Sequence, residues 1–183
     1  MQIHYRRATE GDALAVARVH CDSWRSTYPG LVAAHVIDAW TDVERRYVGW
    51  SRIIAERPET LWLAVTNNEV VGFADGGAAR DRNDGFAGQL YSIYLIAEAQ
   101  RRGIGEGLVA LVFDDLNRAG LRSARVEVLK GNQPAICFYK KLGASLVREA
   151  PHDITGEPMT ELVYGWRSLP SLGDLRGAKS LAA

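Results

Sequence analysis

The stretch QRRGIGEG at Gln100–Gly107 decides the fold, because three glycines and two arginines directly follow the apolar run LYSIYLIA at 90–97. A continuous apolar run of this length is typical of a strand buried inside a sheet. Apolar residues then recur at helical spacing from Ile104 to Gly120, and ARVEVL at 124–129 alternates as a further strand. The pattern predicts two parallel strands joined by a helix whose opening amides can bind a phosphate.

The remaining periodicity predicts an α/β domain with about six to seven strands. Thr9 and Asp12 form a capping-box-like helix start, and a second helical region is expected at 33–55. A further helix is expected from Pro134 to Gly143. The other strands are expected at 3–7, 61–66, 70–79, 89–96, 145–149 and 159–166. We expect one domain over 1–167 and a flexible C-terminal tail over 168–183.

Charge and cysteine content narrow the class of protein. Lysine plus arginine (22) equals aspartate plus glutamate (22), so no overall field attracts nucleic acid or a membrane surface. No apolar stretch is long enough for a membrane span or a signal peptide, which favours the cytoplasm. Cys21 and Cys137 each fall in a helical pattern, so we expect two buried free thiols and neither a disulfide nor a metal site.

Two phosphate-binding interpretations of the glycines compete. Gly105-x-Gly107-x-x-Ala110 satisfies the dinucleotide fingerprint, and Glu127 lies about where an acidic ribose ligand falls. Against this, residues 97–102 separate the strand from the glycines, and Glu127 is in the middle of a strand. An NAD-dependent oxidoreductase is therefore the least favoured alternative. No lysine follows the glycines, which excludes a nucleoside-triphosphate loop.

The other frame carries a family resemblance. Gln100–Gly105 is Q-x-x-G-x-G, and Asn132–Gly143 is N-x-x-A-x-x-F-Y-x-x-x-G. These two blocks, in this order, resemble the acetyl-coenzyme A motifs of the GCN5-related N-acetyltransferases. WRSTYPG at 24–30 and ELVYGW at 161–166 are also similar to segments of that family. The resemblance covers about residues 3–167 and implies a central, twisted, mixed sheet with helices on both faces.

The resemblance implies acetyl-CoA as the co-substrate and assigns residues to its parts. Main-chain amides of 102–107 would surround the pyrophosphate, with charge added by the two arginines. Strand backbone at 94–96 would pair with the pantetheine amides if the neighbouring strand splays away. The cofactor-binding residues implied are Tyr94, Leu95, Ile96, Arg101, Arg102, Gly103, Ile104, Gly105, Glu106, Gly107, Asn132 and Tyr139.

The resemblance also implies the chemistry, in which an amine attacks the thioester directly in a ternary complex. Tyr139 matches the family's general acid for the departing thiolate, although core packing is the alternative for this tyrosine. Many members carry glutamate where this chain has Gln89, whose amide is no base. We therefore consider Glu161 and His152 as substitute bases, with bulk water as a further alternative.

The acceptor is expected to be a primary amine of a small molecule or peptide. Trp24 and Tyr28 are assigned to its pocket together with Gln89, and Trp40 is a further candidate, because the first two helices form that wall in the family. Helix packing is an equal alternative for Trp24. A non-catalytic acyl-CoA sensor is the main alternative function, no metal is expected, and a homodimer is an open alternative for the assembly.

Overall fold

The computed structural model describes residues 2–57, 60–81, 84–154 and 156–170. Within these residues the α-helices are α1 (Ala13–Thr27), α2 (Ala34–Trp40), α3 (Val43–Glu56), α4 (Ile104–Arg118) and α5 (Gln133–Lys141). Seven strands are β1 (His4–Arg7), β2 (Leu61–Thr66), β3 (Glu69–Ala78), β4 (Gly88–Leu95), β5 (Ala124–Leu129), β6 (Ser145–Ile154) and β7 (Glu157–Trp166).

The strands form one mixed sheet in the order β1-β2-β3-β4-β5-β7-β6. The outer pairs β1–β2, β2–β3, β5–β7 and β6–β7 are antiparallel, whereas β4 and β5 are parallel. The α/β class, the strand number and the parallel pair expected on either side of α4 are thereby confirmed. The register of β4 with β5 covers only Gly88–Gln89 and Ala124–Arg125.

The chain divides into two compact units, residues 1–75 with 92–108 and residues 76–91 with 109–183. In the first unit, α1 and α3 bury small and branched side chains against β2 and β3. Its fully buried core includes Val16, Ile54, Leu63 and Phe73. Because these residues recur at helical spacing in α1 and α3 and alternate in the strands, burial of apolar area accounts for both patterns.

The core of the second unit is built around Trp166 at the end of β7. Its ring meets Phe113 of α4 edge-on at a centroid distance of 4.9 Å, and its Nε1–H donates to the Leu142 carbonyl at 2.8 Å. Gly165, beside it, lies so close to the Phe86 ring that a Cβ would overlap that ring. The glycine is therefore required for packing in this part of the core.

Local signals explain several element boundaries. Asn67 and Asn68 have φ of 49° and 63°, as the hairpin between β2 and β3 requires. The helical region expected at 33–55 is divided into two helices, α2 and α3. Asp42 is the N-cap of α3, because its carboxylate accepts from the Arg45 amide at 2.9 Å. β6 extends to Ile154, beyond the expected 149; as a mostly polar edge strand it lacks a continuous apolar pattern.

One expectation for the cysteines is wrong. Cys21 is buried, but Cys137 is exposed, because α5 turns Ile136 and Tyr139 towards the core. The boundary expected at 167 stays a prediction. Just after it, the Leu169 amide donates to the Arg122 carbonyl at 3.1 Å. Residues 171–183 of the expected flexible tail lie outside the described residues.

The capping box of Thr9 and Asp12, on the 3-10 turn Glu10–Asp12 directly before α1, generates a stability prediction. Asp12 accepts from the Thr9 amide at 2.8 Å and from two Arg6 nitrogens at 2.7 Å each. The Arg6 hydrogen bonds outweigh burial and lower the Asp12 pKa to about 2. Asp12→Asn should reduce the free energy of unfolding by about 2 kcal/mol at pH 7.

The sign of the pH dependence follows from the lowered pKa. Because the folded-state value lies below the ordinary one, the stabilisation is present above about pH 4 and lost as pH falls through about 2. Urea unfolding at pH 7 and pH 2.5 should show the wild-type advantage shrinking at the lower pH. The exposed Asp22→Asn variant is the control, and an equal loss in both variants would contradict this account.

Candidate active site

The opening of α4 combines left-handed backbone with the first amides of a helix. Arg101 and Gly103 have φ of 58° and 80°, so the chain reverses sharply just before the helix begins at Ile104. The Gly107 amide donates to the Gly103 carbonyl at 3.1 Å, which makes it the first amide with an intrahelical acceptor. The amides of Ile104 and Gly105 come before that first bond, at the positive end of the helix dipole. This opening can bind an anion.

Gly107, the third glycine of the stretch QRRGIGEG, is required for packing. A Cβ on Gly107 would overlap the hydroxyl of Tyr5 on β1. That hydroxyl donates to the Ile104 carbonyl at 3.4 Å, so β1 supports the first turn of α4. Close approach of a phosphate is therefore not needed to explain this glycine.

The backbone at the end of β4 is held by two side chains. The Leu95 carbonyl accepts from the Ser23 hydroxyl at 2.6 Å and from the Gln100 side-chain amide at 3.2 Å. The Ile96 amide donates to the Val71 carbonyl at 3.0 Å. The glutamine of the Q-x-x-G-x-G motif thus fixes the turn between β4 and α4, a role that the motif alone did not reveal.

The three aromatic residues assigned to an acceptor pocket lie together. The Trp24 ring is 4.4 Å from that of Tyr28 and stacks on Trp40 at 5.0 Å with an interplanar angle of 6°. The Trp24 indole N–H donates to the Tyr94 hydroxyl at 3.1 Å. Trp24 is buried, whereas Tyr28, Trp40 and Tyr94 are partly exposed, so the group offers an aromatic surface to a ligand.

In the second unit, Arg125 is fully buried and carries the densest group of charges. Its guanidinium contacts Asp81 at 2.6 Å, Asp84 at 2.5 Å and Glu127 at 3.6 Å. Burial alone would lower the Arg125 pKa, but its hydrogen bonds to Asp81 and Asp84 outweigh burial and raise it. The arginine thereby ties the segment between β3 and β4 to β5.

Gln89 belongs to the same network. Its side-chain oxygen accepts from the Arg80 amide at 3.3 Å and from Arg125 at 3.5 Å, while its nitrogen donates to Glu127 at 3.3 Å. An amide can join a cation and a carboxylate in this way because it both accepts and donates. A glutamate at this position would place a second negative charge beside Glu127 and repel it.

Glu161 and His152, the two residues expected as substitute bases, lie side by side. His152 Nδ1 is 3.2 Å from Glu161 Oε2, because β6 and β7 pair His152 with Met159 and Ala150 with Glu161. Burial raises the Glu161 pKa; His152 and Arg148 oppose this shift, and Glu127 adds to it. A carboxylate whose pKa is raised in this way is a better proton acceptor near neutral pH.

Asn132 and Tyr139 of the second motif are both buried, Asn132 directly before α5 and Tyr139 on it. The Asn132 side-chain oxygen caps the helix by accepting from the Ala135 amide at 3.3 Å. The Tyr139 ring meets Trp166 edge-on at 6.1 Å and also contacts Phe138 at 5.5 Å. The capping and packing roles considered for these residues are therefore present.

Sequence reasoning missed Arg125 and its two aspartates. A signal was present, since an arginine interrupts the apolar strand ARVEVL and two aspartates occur in the polar segment DRNDG at 81–85. A buried arginine needs carboxylates, and a loop with two of them can supply the pairing. The sequence does not show that they meet.

Comparison with known proteins identifies the family. Residues 17–144 match the family model described as the acetyltransferase (GNAT) family. An uncharacterised N-acetyltransferase, YuaI of Bacillus subtilis, is 33% identical over 171 residues, covering 93% of this chain and 96% of the relative. The chain belongs to the GNAT acetyltransferase family. The predicted enzyme class of this acetyltransferase, an acetyl-CoA-dependent N-acetyltransferase, is thereby confirmed.

Solved structures show the same fold. A GCN5-related N-acetyltransferase from Rhodopseudomonas palustris has a TM-score of 0.75 at 16% identity and covers 92% of this chain and 97% of its own. The PaiA N-acetyltransferase of Thermoplasma acidophilum, solved with coenzyme A, has a TM-score of 0.67 at 21% identity and covers 88% of this chain and 98% of its own. YncA of Salmonella typhimurium, solved with acetyl-CoA, has a TM-score of 0.67 at 19% identity and covers 92% of this chain and 94% of its own. At sequence identities this low, the similarity to these structures shows the fold alone.

Two features are absent from the described residues of the acetyltransferase. None of their helices is long and apolar enough to cross a membrane. Nor do these residues contain three or more histidine, cysteine, aspartate or glutamate side chains grouped as a metal ion would need.

The Arg125 network generates a prediction about stability. Arg125→Met should reduce the free energy of unfolding by about 3–5 kcal/mol at pH 7, because it removes the nearest cation from the buried Asp84 carboxylate and leaves only Arg148 at 3.9 Å. The difference from wild type should shrink towards pH 4, since an unpaired buried carboxyl gains a raised pKa and can be protonated. Arg118→Met, which removes an exposed i,i+4 pair, is the matched control. Comparable losses in the two variants, measured by urea unfolding, would show that Arg125 does not organise this unit.

Proposed function

We propose that this acetyltransferase moves the acetyl group of acetyl-CoA to a primary amine of a small molecule or peptide. The opening of α4 carries the proposal, because its left-handed turn and early amides suit a diphosphate, and its sequence matches the family motif. The amine nitrogen attacks the thioester carbonyl, the carbon–sulfur bond breaks, and coenzyme A leaves as its thiol. The two unpaired cysteines agree with a cytoplasmic setting.

Coenzyme A would contact two stretches of backbone. The amides of 102–106 would bind the pyrophosphate, since the Gly107 amide is already used within α4. Arg101 and Arg102 are exposed and would add positive charge near it. The backbone of β4 at 94–96 would pair with the pantetheine amides, which the short β4–β5 register supports. Because the Leu95 carbonyl and the Ile96 amide are already bonded within the protein, other backbone groups of this stretch would make that pairing. The Asn132 side-chain nitrogen would donate to the cofactor.

Tyr139 is proposed as the general acid. Its position in the N-x-x-A-x-x-F-Y motif supports this role, since a phenol can donate a proton to a departing thiolate. The hydroxyl would give its proton to the leaving sulfur. The proton released by the attacking nitrogen would restore the phenol through the base or solvent, so that the protons balance over one turnover.

Glu161, with His152 beside it, is proposed as the base. A lysine-like amine is protonated at neutral pH, because its reference pKa is about 10.4, and must lose a proton before attack. Burial raises the Glu161 pKa towards the working pH, which improves a carboxylate as an acceptor. His152, at 3.2 Å, could pass that proton on to solvent.

Trp24 and Tyr28 are proposed to contact the acceptor. The sequence also assigned Gln89 to the acceptor pocket. Its hydrogen bonds to Glu127 and Arg125 support a different role, in which it orients these two side chains. The non-catalytic sensor was considered because Gln89 replaces an acid. Since the structural role of Gln89 explains that replacement, the residue does not argue against catalysis.

Cofactor binding can be tested with glycine variants of equal conformational cost. Gly103→Ala and Gly120→Ala each place alanine at positive φ, 80° and 77°, and should each cost about 1 kcal/mol of stability. Only Gly103→Ala should also weaken acetyl-CoA binding, by roughly tenfold, through a displaced amide at the opening of α4. Isothermal titration calorimetry of both variants would check this. Equal affinities would remove α4 from the cofactor site.

The acid and base roles can be tested by steady-state kinetics with thiol release as the signal. Tyr139→Phe should lower kcat by about 100-fold or more at unchanged acetyl-CoA affinity. Glu161→Gln should lower kcat similarly and weaken its dependence on pH below neutrality. Tyr164→Phe, another buried tyrosine, and Glu149→Gln, an exposed glutamate on β6, are the matched controls. If Tyr139→Phe or Glu161→Gln kept wild-type kcat, its proposed role would be wrong.

A further inference from the structure

The aromatic group around Trp24 also contains two buried hydrogen-bond donors that lack an acceptor. They are His20 Nε2 and Arg46 Nε. Both belong to the first unit, His20 on α1 and Arg46 on α3. A buried donor without an acceptor costs about 1–3 kcal/mol, so native proteins rarely leave one without a reason.

The protonation state of His20 is fixed by its neighbours. Its Nδ1 accepts from the Trp50 indole N–H at 3.3 Å, so the ring proton is on Nε2. Burial, together with the positive charge of Arg46, lowers the His20 pKa to about 3. The imidazole is therefore neutral at physiological pH and offers Nε2–H as a donor.

Arg46 is a cation without an ion pair among the residues that the structure describes. Its guanidinium stacks over the Trp40 ring at 4.3 Å, and burial lowers its pKa. The negative charge of Asp42 favours the Arg46 cation. The Asp42 carboxylate, however, caps α3 by accepting from the Arg45 amide. Elsewhere the chain pairs its buried arginine, Arg125, with three carboxylates.

The two donors are linked through one set of rings. Trp40 stacks on Trp24, and Trp24 donates to the Tyr94 hydroxyl. The His20 ring lies 4.7 Å from that of Tyr94, and stacks on Trp24 at 6.0 Å. Because the Tyr94 oxygen accepts from Trp24, its own proton is a third donor. The rim, formed by Trp40, Tyr94 and Arg46, is partly exposed, while His20 and Trp24 beneath it are buried.

We propose that the acceptor amine also carries a carboxylate, which binds Arg46 and the donors of His20 and Tyr94. The apolar part of the acceptor packs against Trp24 and Trp40. A carboxylate supplies the several lone pairs that three donors need, and an arginine held over a ring is preorganised to bind it. A second ammonium group, as in a polyamine, would be repelled by Arg46 at the same rings. This assignment rests on the proposed acetyl transfer.

The test compares acceptors that differ only in the anionic group. We would measure kcat/KM of the wild type for phenylalanine, phenylalaninamide and 2-phenylethylamine, and for the leucine series in the same way. The free acids should be preferred by about 10- to 100-fold, the worth of a charge-assisted hydrogen bond. The amides carry the less basic and more readily deprotonated amine, so intrinsic reactivity would favour the opposite order. The aminophosphonate analogue of phenylalanine distinguishes a carboxylate site from one for any oxyanion.

Two arginine variants on the same helix provide the control. Arg46→Gln should abolish the preference for the acids, lowering their kcat/KM by about 10- to 100-fold with little effect on the amides. Arg45→Gln, which removes the same charge from the exposed neighbouring side chain, should leave the preference unchanged. Acetyl-CoA titration of each variant checks that it is folded.

The outcomes separate this proposal from the proposed function. Absence of acetyl-CoA binding, or of thiol release with every amine, would overturn the proposed acetyl transfer itself. Acetyl transfer with equal or better use of the amides would overturn only the carboxylate assignment. Preference for the aminophosphonate over the carboxylate would also contradict it. An acid preference that persists in Arg46→Gln would show that another residue binds the anion.

Discussion

The proposed cofactor site depends on one constraint, the fixed backbone between Leu95 and Gly107. The Leu95 carbonyl is saturated by Ser23 and Gln100, which stops the end of β4 from moving away from the turn. Left-handed conformations at Arg101 and Gly103 then reverse the chain, and Tyr5 supports the first turn of α4. Because such conformations persist only when their surroundings enforce them, these contacts keep the helix amides preorganised for an anion.

Electrostatics are organised differently in the two units. In the second unit a buried arginine is surrounded by carboxylates, and the Gln89 amide mediates between Arg125 and Glu127. In the first unit an arginine stacked on Trp40 has no such carboxylates among the described residues. A fully paired arginine stabilises structure, whereas one without a protein carboxylate keeps its capacity to bind an anion. The contrast distinguishes a structural charge from a ligand-binding one.

Sequence patterns predicted the strands and helices well where burial produces a clear period. The bounds of β2 and β5 were predicted to the residue, since each is an apolar or alternating run. β6 was predicted too short because its polar edge position removes that signal. The motifs located the α4 opening and Tyr139, but not the pairing of Arg125 with Asp84, which depends on how a loop folds back on a strand. The approach of His20 to Tyr94, 74 residues along the chain, depends likewise on tertiary packing.

The most direct test of the central claim is a crystal structure of the protein with coenzyme A. The account predicts that the pyrophosphate oxygens accept from the amides of 102–106, and that the pantetheine arm runs beside β4 at 94–96. A pyrophosphate bound elsewhere, with the opening of α4 occupied only by solvent, would contradict it.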